Sequence, residues 1–197
     1  AEIQGVKCYP SVGDIPGPVD MVVITVPAQL VPGIMDECGK KGVKMAVVIT
    51  AGFKEMNEEG KALEERMVSI ARNYGVRIVG PNCLGLILPP YKLDTTYVAT
   101  SPLPGDIAFI SQSGAIANAV VGISLSEGSE MGYSEVVSVG NQCDLDFLDY
   151  MSYAARDPHT KSIILYIEEI KNGVAFMEMA KEVTKSKPII AIKAGSS

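Results

Sequence analysis

The fold of this chain is constrained most by an alternation of uninterrupted apolar runs with segments of helical periodicity. The runs at 20–27 and 44–50 are rich in β-branched residues, which is typical of strands buried in a parallel sheet. Between 58 and 74 the apolar residues instead recur at the spacing of an amphipathic helix, and Gly75 follows as a cap. This alternation predicts an α/β fold with parallel sheets and right-handed crossovers.

The second half of the chain repeats the same alternation. We predict four strands in it, at 106–110, 135–139, 162–167 and 188–192. We predict three helices, at 114–128, 146–156 and 173–185. The first of these helices is apolar nearly all round, so we expect it to be buried or to face a partner.

A stretch without long periodicity separates the two halves. Residues 86–105 are punctuated by proline and glycine, which is typical of a boundary between domains. We therefore predict two three-layer parallel-sheet domains, at 1–100 and 101–197. In such sheets ligands bind beyond the carboxyl ends of the strands, so we look for the site there.

The composition excludes several classes of function. The 197 residues contain 17 Lys and Arg against 23 Asp and Glu, and the net charge of −6 argues against a generic nucleic-acid or membrane-surface binder. The longest apolar runs are strand-sized, so we expect no segment that spans a membrane. Four cysteines without a CxxC motif and a single histidine give no zinc framework, and we expect no bound metal. We interpret the chain as a reduced, cytoplasmic protein with free thiols.

Both ends of the chain suggest a longer polypeptide. The sequence begins without Met in a loop-like stretch and stops at 193–197, just after a predicted strand. We expect this chain to be a fragment whose function is incomplete on its own.

The sharpest candidate site is Ile110-Ser111-Gln112-Ser113-Gly114-Ala115, where a strand ends and a helix begins. Free backbone N–H groups, the helix dipole and two hydroxyls together would form an anion site. The alternative is that Ser111 or Ser113 is only the N-cap of the helix. The segment lacks the lysine and spacing of a P-loop, and a serine-hydrolase triad is disfavoured because the one histidine, His159, lies far along the chain.

Two further segments follow predicted strands. In Gly80-Pro81-Asn82-Cys83-Leu84-Gly85 the glycine and proline set a tight turn, and the loop either faces a ligand or is a plain turn with a buried cysteine. Glu168 and Glu169 place two carboxylates at the end of an apolar strand, where one could orient a catalytic histidine or an incoming phosphoryl acceptor. The alternative for one of the two is a cap or an ion pair at the surface, as for Glu169. Asp144, Asp146 and Asp149 do not have the spacing of a calcium loop. We interpret Asp144 or Asp146 as the cap of the following helix and Asp149 as a favourable charge in its first turn.

An ordered set of motifs resembles the CoA-ligase part of the NDP-forming acyl-CoA synthetases. This family includes ADP-forming acetyl-CoA synthetase and the α subunit of succinyl-CoA synthetase, and the match is closer to the acetyl type. The motifs that carry the resemblance are Val47–Phe53, Gly80–Gly85, Phe109–Ala115, Val137–Asn141, Leu165–Lys171 and Lys187–Gly195.

The resemblance implies a partial Rossmann-like CoA-binding domain followed by a flavodoxin-like CoA-ligase domain. It also implies the interconversion of acyl-CoA, phosphate and ADP with a carboxylic acid, CoA and ATP, through an acyl phosphate and a phosphohistidine. ADP or ATP and Mg²⁺ would bind to an ATP-grasp partner, either a separate subunit or a fused domain, in a homo- or hetero-oligomer.

Site residues follow from the same resemblance. The CoA site would comprise Val26, Pro27, Ile49, Thr50, Ala51, Asn82 and Cys83, with the last two near the thiol end. Phosphate and phosphohistidine would face Ser111, Gln112, Ser113 and Gly114. A glutamate would hold the phosphohistidine, and we favour Glu168 over Glu169.

Two parts of the family pattern are expected outside this chain. The glycine-rich loop for the CoA phosphates would precede Ala1, and the phosphorylated histidine would follow Ser197, because His159 does not match it. We therefore expect the fragment alone to be inactive. The alternative function is a CoA-binding regulatory module, for example of a protein acetyltransferase. A nicotinamide-dependent enzyme is disfavoured because no G-x-G-x-x-G follows a predicted strand.

Overall fold

The structure is a computed structural model that describes residues 1–126, 128–129 and 131–195. Its first part contains a short β-hairpin, three further strands and two helices. These elements are β1 (Glu2–Ile3), β2 (Val6–Lys7), β3 (Met21–Ile24), α1 (Val31–Lys41), β4 (Met45–Val48), α2 (Glu58–Tyr74) and β5 (Arg77–Val79). The strands β3, β4 and β5 form a parallel sheet in that order, as their β-branched sequences predict.

The limits of α2 show how the sequence sets a helix. The side chain of Asn57 accepts a hydrogen bond from the backbone of Gly60, which satisfies one of the free N–H groups of the first turn. Gly75 ends the helix in the left-handed conformation at φ 72°, which costs glycine little. The predicted limits of this helix are therefore correct.

The second part of the chain forms a six-stranded sheet with three helices. Its elements are β6 (Leu86–Leu88), β7 (Leu93–Asp94), β8 (Pro104–Ser111), α3 (Gly114–Ser124), β9 (Tyr133–Ser138), α4 (Phe147–Arg156), β10 (Ser162–Ile167), α5 (Gly173–Val183) and β11 (Ile189–Lys193). The strand order is β11-β10-β8-β9-β6-β7.

The edge of this sheet differs from the prediction. The strands β8 to β11 pair in parallel, but β6 runs antiparallel to β9, and β7 runs antiparallel to β6. The expectation of a purely parallel sheet is therefore wrong at this edge. Residues 86–94, which lie in the stretch predicted as a boundary, join the second sheet, while the domain limits at 100 and 101 stay a prediction.

The helix after β8 is shorter than predicted. It ends at Ser124 rather than 128, and Glu127 of the predicted range lies outside the described residues, as do Ser196 and Ser197 of the predicted second domain. The helix buries Ala117 and Val121 against the sheet but leaves Ile123 60% exposed. Its apolar character is therefore only partly explained by packing within this chain.

One apolar cluster crosses between the two sheets. Val47 and Val79 of the first sheet pack in the same cluster as Leu86, Val137 and Tyr150 of the second part. Fully burying an aliphatic side chain contributes about 1.5–3 kcal/mol, so this shared core holds the two sheets together. In the part of the chain that the structure describes, the helices are too short or too polar to cross a membrane.

Candidate functional site

A cleft of about 450 Å³ lies at the carboxyl ends of strands from both sheets. It collects the loops that follow β4, β5, β8 and β10, which is where the topology of parallel sheets predicts a ligand. Most of the residues that the resemblance picked out line it together. The predicted residues in its wall are Ile49, Ala51, Asn82, Cys83, Gln112, Ser113, Gly114 and Glu168.

Five predicted residues are not part of that wall. The hydroxyl of Thr50 donates to the carbonyl of Val26 at 2.7 Å, so it joins the loops after β3 and β4. Pro27 is exposed beside this bond. Ser111 is fully buried, and Glu169 is exposed and does not line the cleft. Of the two glutamates, therefore, only Glu168 borders the cleft.

The start of α3 faces the cleft with backbone N–H groups. The Ser113 hydroxyl oxygen accepts from the backbone N–H of Ile116 at 3.3 Å, so Ser113 is the N-cap of the helix. Within the described residues, the N–H groups of Gly114 and Ala115 have no acceptor. The positive end of the helix dipole therefore points into the cleft with two free donors.

The hydroxyl of Ser111 holds the backbone of Ser113 at the turn between β8 and α3. Its hydroxyl donates to the carbonyl of Ser113 at 2.8 Å and accepts from the N–H of Ser113 at 3.1 Å. Both hydroxyl functions are thus used within the turn, and Ser111 orients the donors of α3.

Gln112 connects two of the loops, a role that the sequence did not indicate. Its side-chain oxygen accepts from the backbone N–H of Glu168 at 2.5 Å and from that of Glu169 at 2.8 Å. Its own backbone N–H donates to the carbonyl of Tyr166 at 3.0 Å. The position of Glu168 beside the helix start is therefore set by Gln112.

The loop after β5 brings Asn82 and Cys83 to the opposite wall. It begins with a cis Gly80–Pro81 peptide, and Asn82 adopts the left-handed conformation at φ 55°. The backbone N–H of Asn82 donates to the carbonyl of Thr50, which fixes it beside the loop after β4. The Cys83 thiol donates to the carbonyl of Val48 at 3.3 Å, and burial raises its pKa to about 12. Cys83 is therefore a neutral thiol at pH 7 and is not suited to act as a nucleophile.

Asn141, in the loop after β9, links the two domains next to the cleft. Its side-chain nitrogen donates to Glu55 at 2.6 Å and to the buried Glu64 at 2.8 Å. Its backbone N–H donates to the carbonyl of Pro81 at 2.9 Å. This role was missed from the sequence, although Asn141 ends one of the motifs that carry the resemblance.

The acidic segment 144–149 is structural, as predicted, but in two different ways. Asp146 caps α4 and forms a capping box with Asp149. Asp144 instead accepts from Arg77 at 2.8 Å and from the backbone of Ile78 at 2.9 Å, so it joins the second part of the chain to β5.

His159 is an exposed loop residue, as its sequence context indicates. Its ring lies edge-on to Tyr91, with 5.5 Å between ring centroids. His159 precedes β10 and so lies at the amino end of that strand, whereas the cleft is at its carboxyl end. Among the described residues, no three His, Cys, Asp or Glu side chains are placed to hold a metal ion. We therefore assign no metal ligands in this part of the chain.

Comparison with known proteins identifies both parts. Residues 1–89 match a family described as a CoA binding domain, and residues 104–197 match the succinyl-CoA ligase-like flavodoxin domain. An α subunit of an ADP-forming acetate–CoA ligase from Pyrococcus furiosus is 50% identical over 196 residues, which are 100% of this chain and 42% of that subunit.

Two solved structures have the same fold and a similar sequence. A crystal structure from Pyrococcus horikoshii OT3 has a TM-score of 0.94 and 49% identity, covering 98% of this chain and 44% of its own. An acetyl-coenzyme A synthetase of Ca. Korarchaeum cryptofilum, solved with phosphate and ADP, has a TM-score of 0.92 and 46% identity, covering 98% of this chain and 41% of its own. This chain therefore spans less than half the length of these relatives.

The matches cover nearly the whole chain in order, and they agree with the two-sheet fold and with the cleft between the sheets. The chain comprises a CoA-binding domain followed by a succinyl-CoA ligase-like flavodoxin domain, and over its whole length it is similar to the α subunits of ADP-forming acetate–CoA ligases.

Proposed function

We propose that this chain is the CoA-ligase part of an ADP-forming acyl-CoA synthetase, with acetate as the best-supported acid. The enzyme would interconvert acyl-CoA, phosphate and ADP with the free acid, CoA and ATP. The observation that carries the proposal is one cleft that holds both the loop of Asn82 and the start of α3. The α subunit from Pyrococcus furiosus named above supports acetate as the acid.

The two walls of the cleft suit the two reactants. The loops at 49–51 and 82–83 would hold the thiol end of CoA, with Val26 and Pro27 nearby. The N–H groups of Gly114 and Ala115 and the helix dipole would hold phosphate opposite to it, because an anion is stabilised at a helix start. A phosphate oxygen would then attack the thioester carbon, the carbon–sulfur bond would break, and CoA would leave as acyl phosphate forms.

Glu168 would serve the following phosphoryl transfer. A carboxylate beside an imidazole holds the ring in one tautomer and stabilises its cationic form. Glu168 borders the cleft at the anion site, and Gln112 fixes its backbone there. We propose that it accepts a hydrogen bond from the histidine that carries the phosphoryl group, and that this histidine comes from outside the described residues.

The remaining assignments are also proposals. The nucleotide and Mg²⁺ would bind to an ATP-grasp partner, as a separate subunit or a fused domain, within a homo- or hetero-oligomer. We propose a cytoplasmic location, since all four cysteines are free, which suits a reducing compartment.

A coupled assay tests the proposed reaction. The full-length protein with its ATP-grasp partner is incubated with acetyl-CoA, ADP and Mg²⁺, with and without phosphate. We expect ATP and free CoA to appear in equal amounts only when phosphate is present. CoA binding without ATP formation would contradict the proposal and would support the regulatory module instead.

A further inference from the structure

A second cavity, of about 420 Å³, lies at the other end of the first sheet. It reaches Met21 and Met45, which begin β3 and β4, whereas the cleft described above follows the ends of the strands. Its remaining apolar walls come from the second part of the chain, from Leu86, Leu88, Leu93, Val137 and Leu145. The cavity is therefore an interdomain space that the proposed reaction does not use.

The size and lining of this cavity fit a small organic molecule. Binding sites for such molecules usually measure about 300–1,000 Å³ and have mostly apolar walls with a few polar groups. Water occupies about 30 Å³ per molecule and needs two to four polar partners at each position. A cavity of this volume would need roughly 14 waters, and its apolar walls offer few groups to bind them.

Two buried polar groups face the cavity without a partner. Glu135 on β9 is 1% exposed, and its Oε1 atom has no hydrogen bond within the described residues. The hydroxyl of Tyr150 on α4, a residue that is 7% exposed, also has none there. Leaving a buried polar group unpaired costs about 1–3 kcal/mol, and more for a charged group. A ligand with a donor group would satisfy both.

The charges around the cavity select the head group. No Lys, Arg or His side chain lines it in the described part of the chain, but two carboxyl groups do, Glu135 inside and Asp149 at the partly exposed rim. Two cations lie near these carboxyl groups: the Arg77 guanidinium is 3.3 Å from Asp149 at the rim, and Lys187 lies near Glu135. The ammonium group of Lys187 donates to the carbonyls of Ala154 and Asp157 rather than to Glu135. An ammonium group would stabilise Glu135 in its ionised form on binding, whereas a carboxylate, a phosphate or CoA would meet no cation in the described lining.

We propose that this interdomain cavity binds a small apolar amine, with the ammonium group on the Glu135 carboxylate and the Tyr150 hydroxyl and the apolar body between Met21, Met45 and Leu93. Such a ligand would contact both domains at once. It would thus bind where it can couple to their relative position without competing for the cleft.

The first test needs no substitution. The full-length protein is labelled with [methyl-¹³C]methionine and titrated with n-octylamine, 1-octanol and octanoate. We expect n-octylamine to shift the methyl signals of Met21 and Met45 saturably at one site, and to leave that of Met56, which is 68% exposed elsewhere, unchanged. We expect octanol to bind at least tenfold more weakly, and octanoate not to bind. Equal binding of all three probes, or no binding of the amine, would overturn the proposal.

Two variants and one control test which side chains of the cavity bind the amine. Glu135→Gln removes the carboxylate and is expected to weaken the binding of n-octylamine at least tenfold while leaving the affinity for octanol unchanged. Leu93→Phe narrows the cavity and is expected to weaken the binding of both n-octylamine and octanol. Glu178→Gln makes the same chemical change on the exposed face of α5 and is expected to have no effect. Unchanged amine affinity in folded Glu135→Gln protein would overturn the proposal.

Discussion

Glu135 should make the protein less stable as pH rises, which is the opposite of the effect of a carboxyl group whose pKa is lowered on folding. Its carboxyl group is buried on β9, and burial raises its pKa to about 8 from an ordinary value of 4.5. Repulsion from Asp157 adds to this shift, and attraction from Lys187 opposes it. Because the folded pKa is above the unfolded one, the folded state binds more protons between these two values. Stability should therefore fall as pH rises from about 4.5 to 8.

The size of the effect follows from the two pKa values. Each pKa unit corresponds to about 1.4 kcal/mol, so the loss approaches ~1.4 kcal/mol per pH unit in the middle of the window. Integrated from pH 5 to pH 7.5, this single group should cost about 3 kcal/mol of unfolding free energy. Tyr150 and Tyr153, which lie near it, have pKa values raised above their ordinary range and stay neutral throughout.

Glu135→Gln keeps the shape of the side chain and does not titrate. We expect the stability of the variant, relative to the original protein, to increase by about 3 kcal/mol from pH 5 to pH 7.5, whatever constant offset the amide adds. Urea unfolding followed by far-ultraviolet circular dichroism at several pH values measures this difference. Glu178→Gln on exposed α5 serves as the control and should show a constant difference. Parallel stability curves for Glu135→Gln and the original protein would refute the reasoning.

Three further changes test the cleft and its support. Ser113→Asp puts a negative charge at the anion site and should reduce ATP synthesis by at least a hundredfold; retained activity would contradict the helix-start site. Glu168→Gln should slow histidine phosphorylation at least tenfold and Glu169→Gln should not, and the reverse pattern would transfer the role to Glu169. Gly140→Ala would place a Cβ atom 2.1 Å from the carbonyl oxygen of Pro81 and should cost about 1–3 kcal/mol in urea unfolding, whereas Gly33→Ala, with open space around it, should be neutral or slightly stabilising.

Local sequence was enough to predict the helices and the parallel strands. Continuous β-branched runs and apolar stripes at helical spacing are properties of single segments, and Glu58–Tyr74 was predicted to the residue because its cap residues flank it directly. The antiparallel strands β6 and β7 were missed, since strands of two or three residues carry no periodicity and are specified by pairing with β9.

The site was predictable only in part, for a similar reason. Asn82, Ser113 and Glu168 each follow a strand, and the topology of a parallel sheet brings such positions together. The links made by Gln112 and Asn141 depend on which loops meet in space, and nothing in the neighbouring residues indicates their partners. The cavity around Glu135 also needed the structure, because its walls come from segments over 100 residues apart, such as Met21 and Tyr150.

The most direct test of the central claim is the formation of a phosphohistidine by the full-length protein with its ATP-grasp partner. Both are incubated with ATP labelled at the γ-phosphate and with Mg²⁺, and the label on the protein is then tested with acid and base. We predict an acid-labile, base-stable label that acetate and CoA discharge together, and that is reduced in Glu168→Gln. CoA binding without any label would contradict the account and would leave Ser113 and Glu168 with structural roles only.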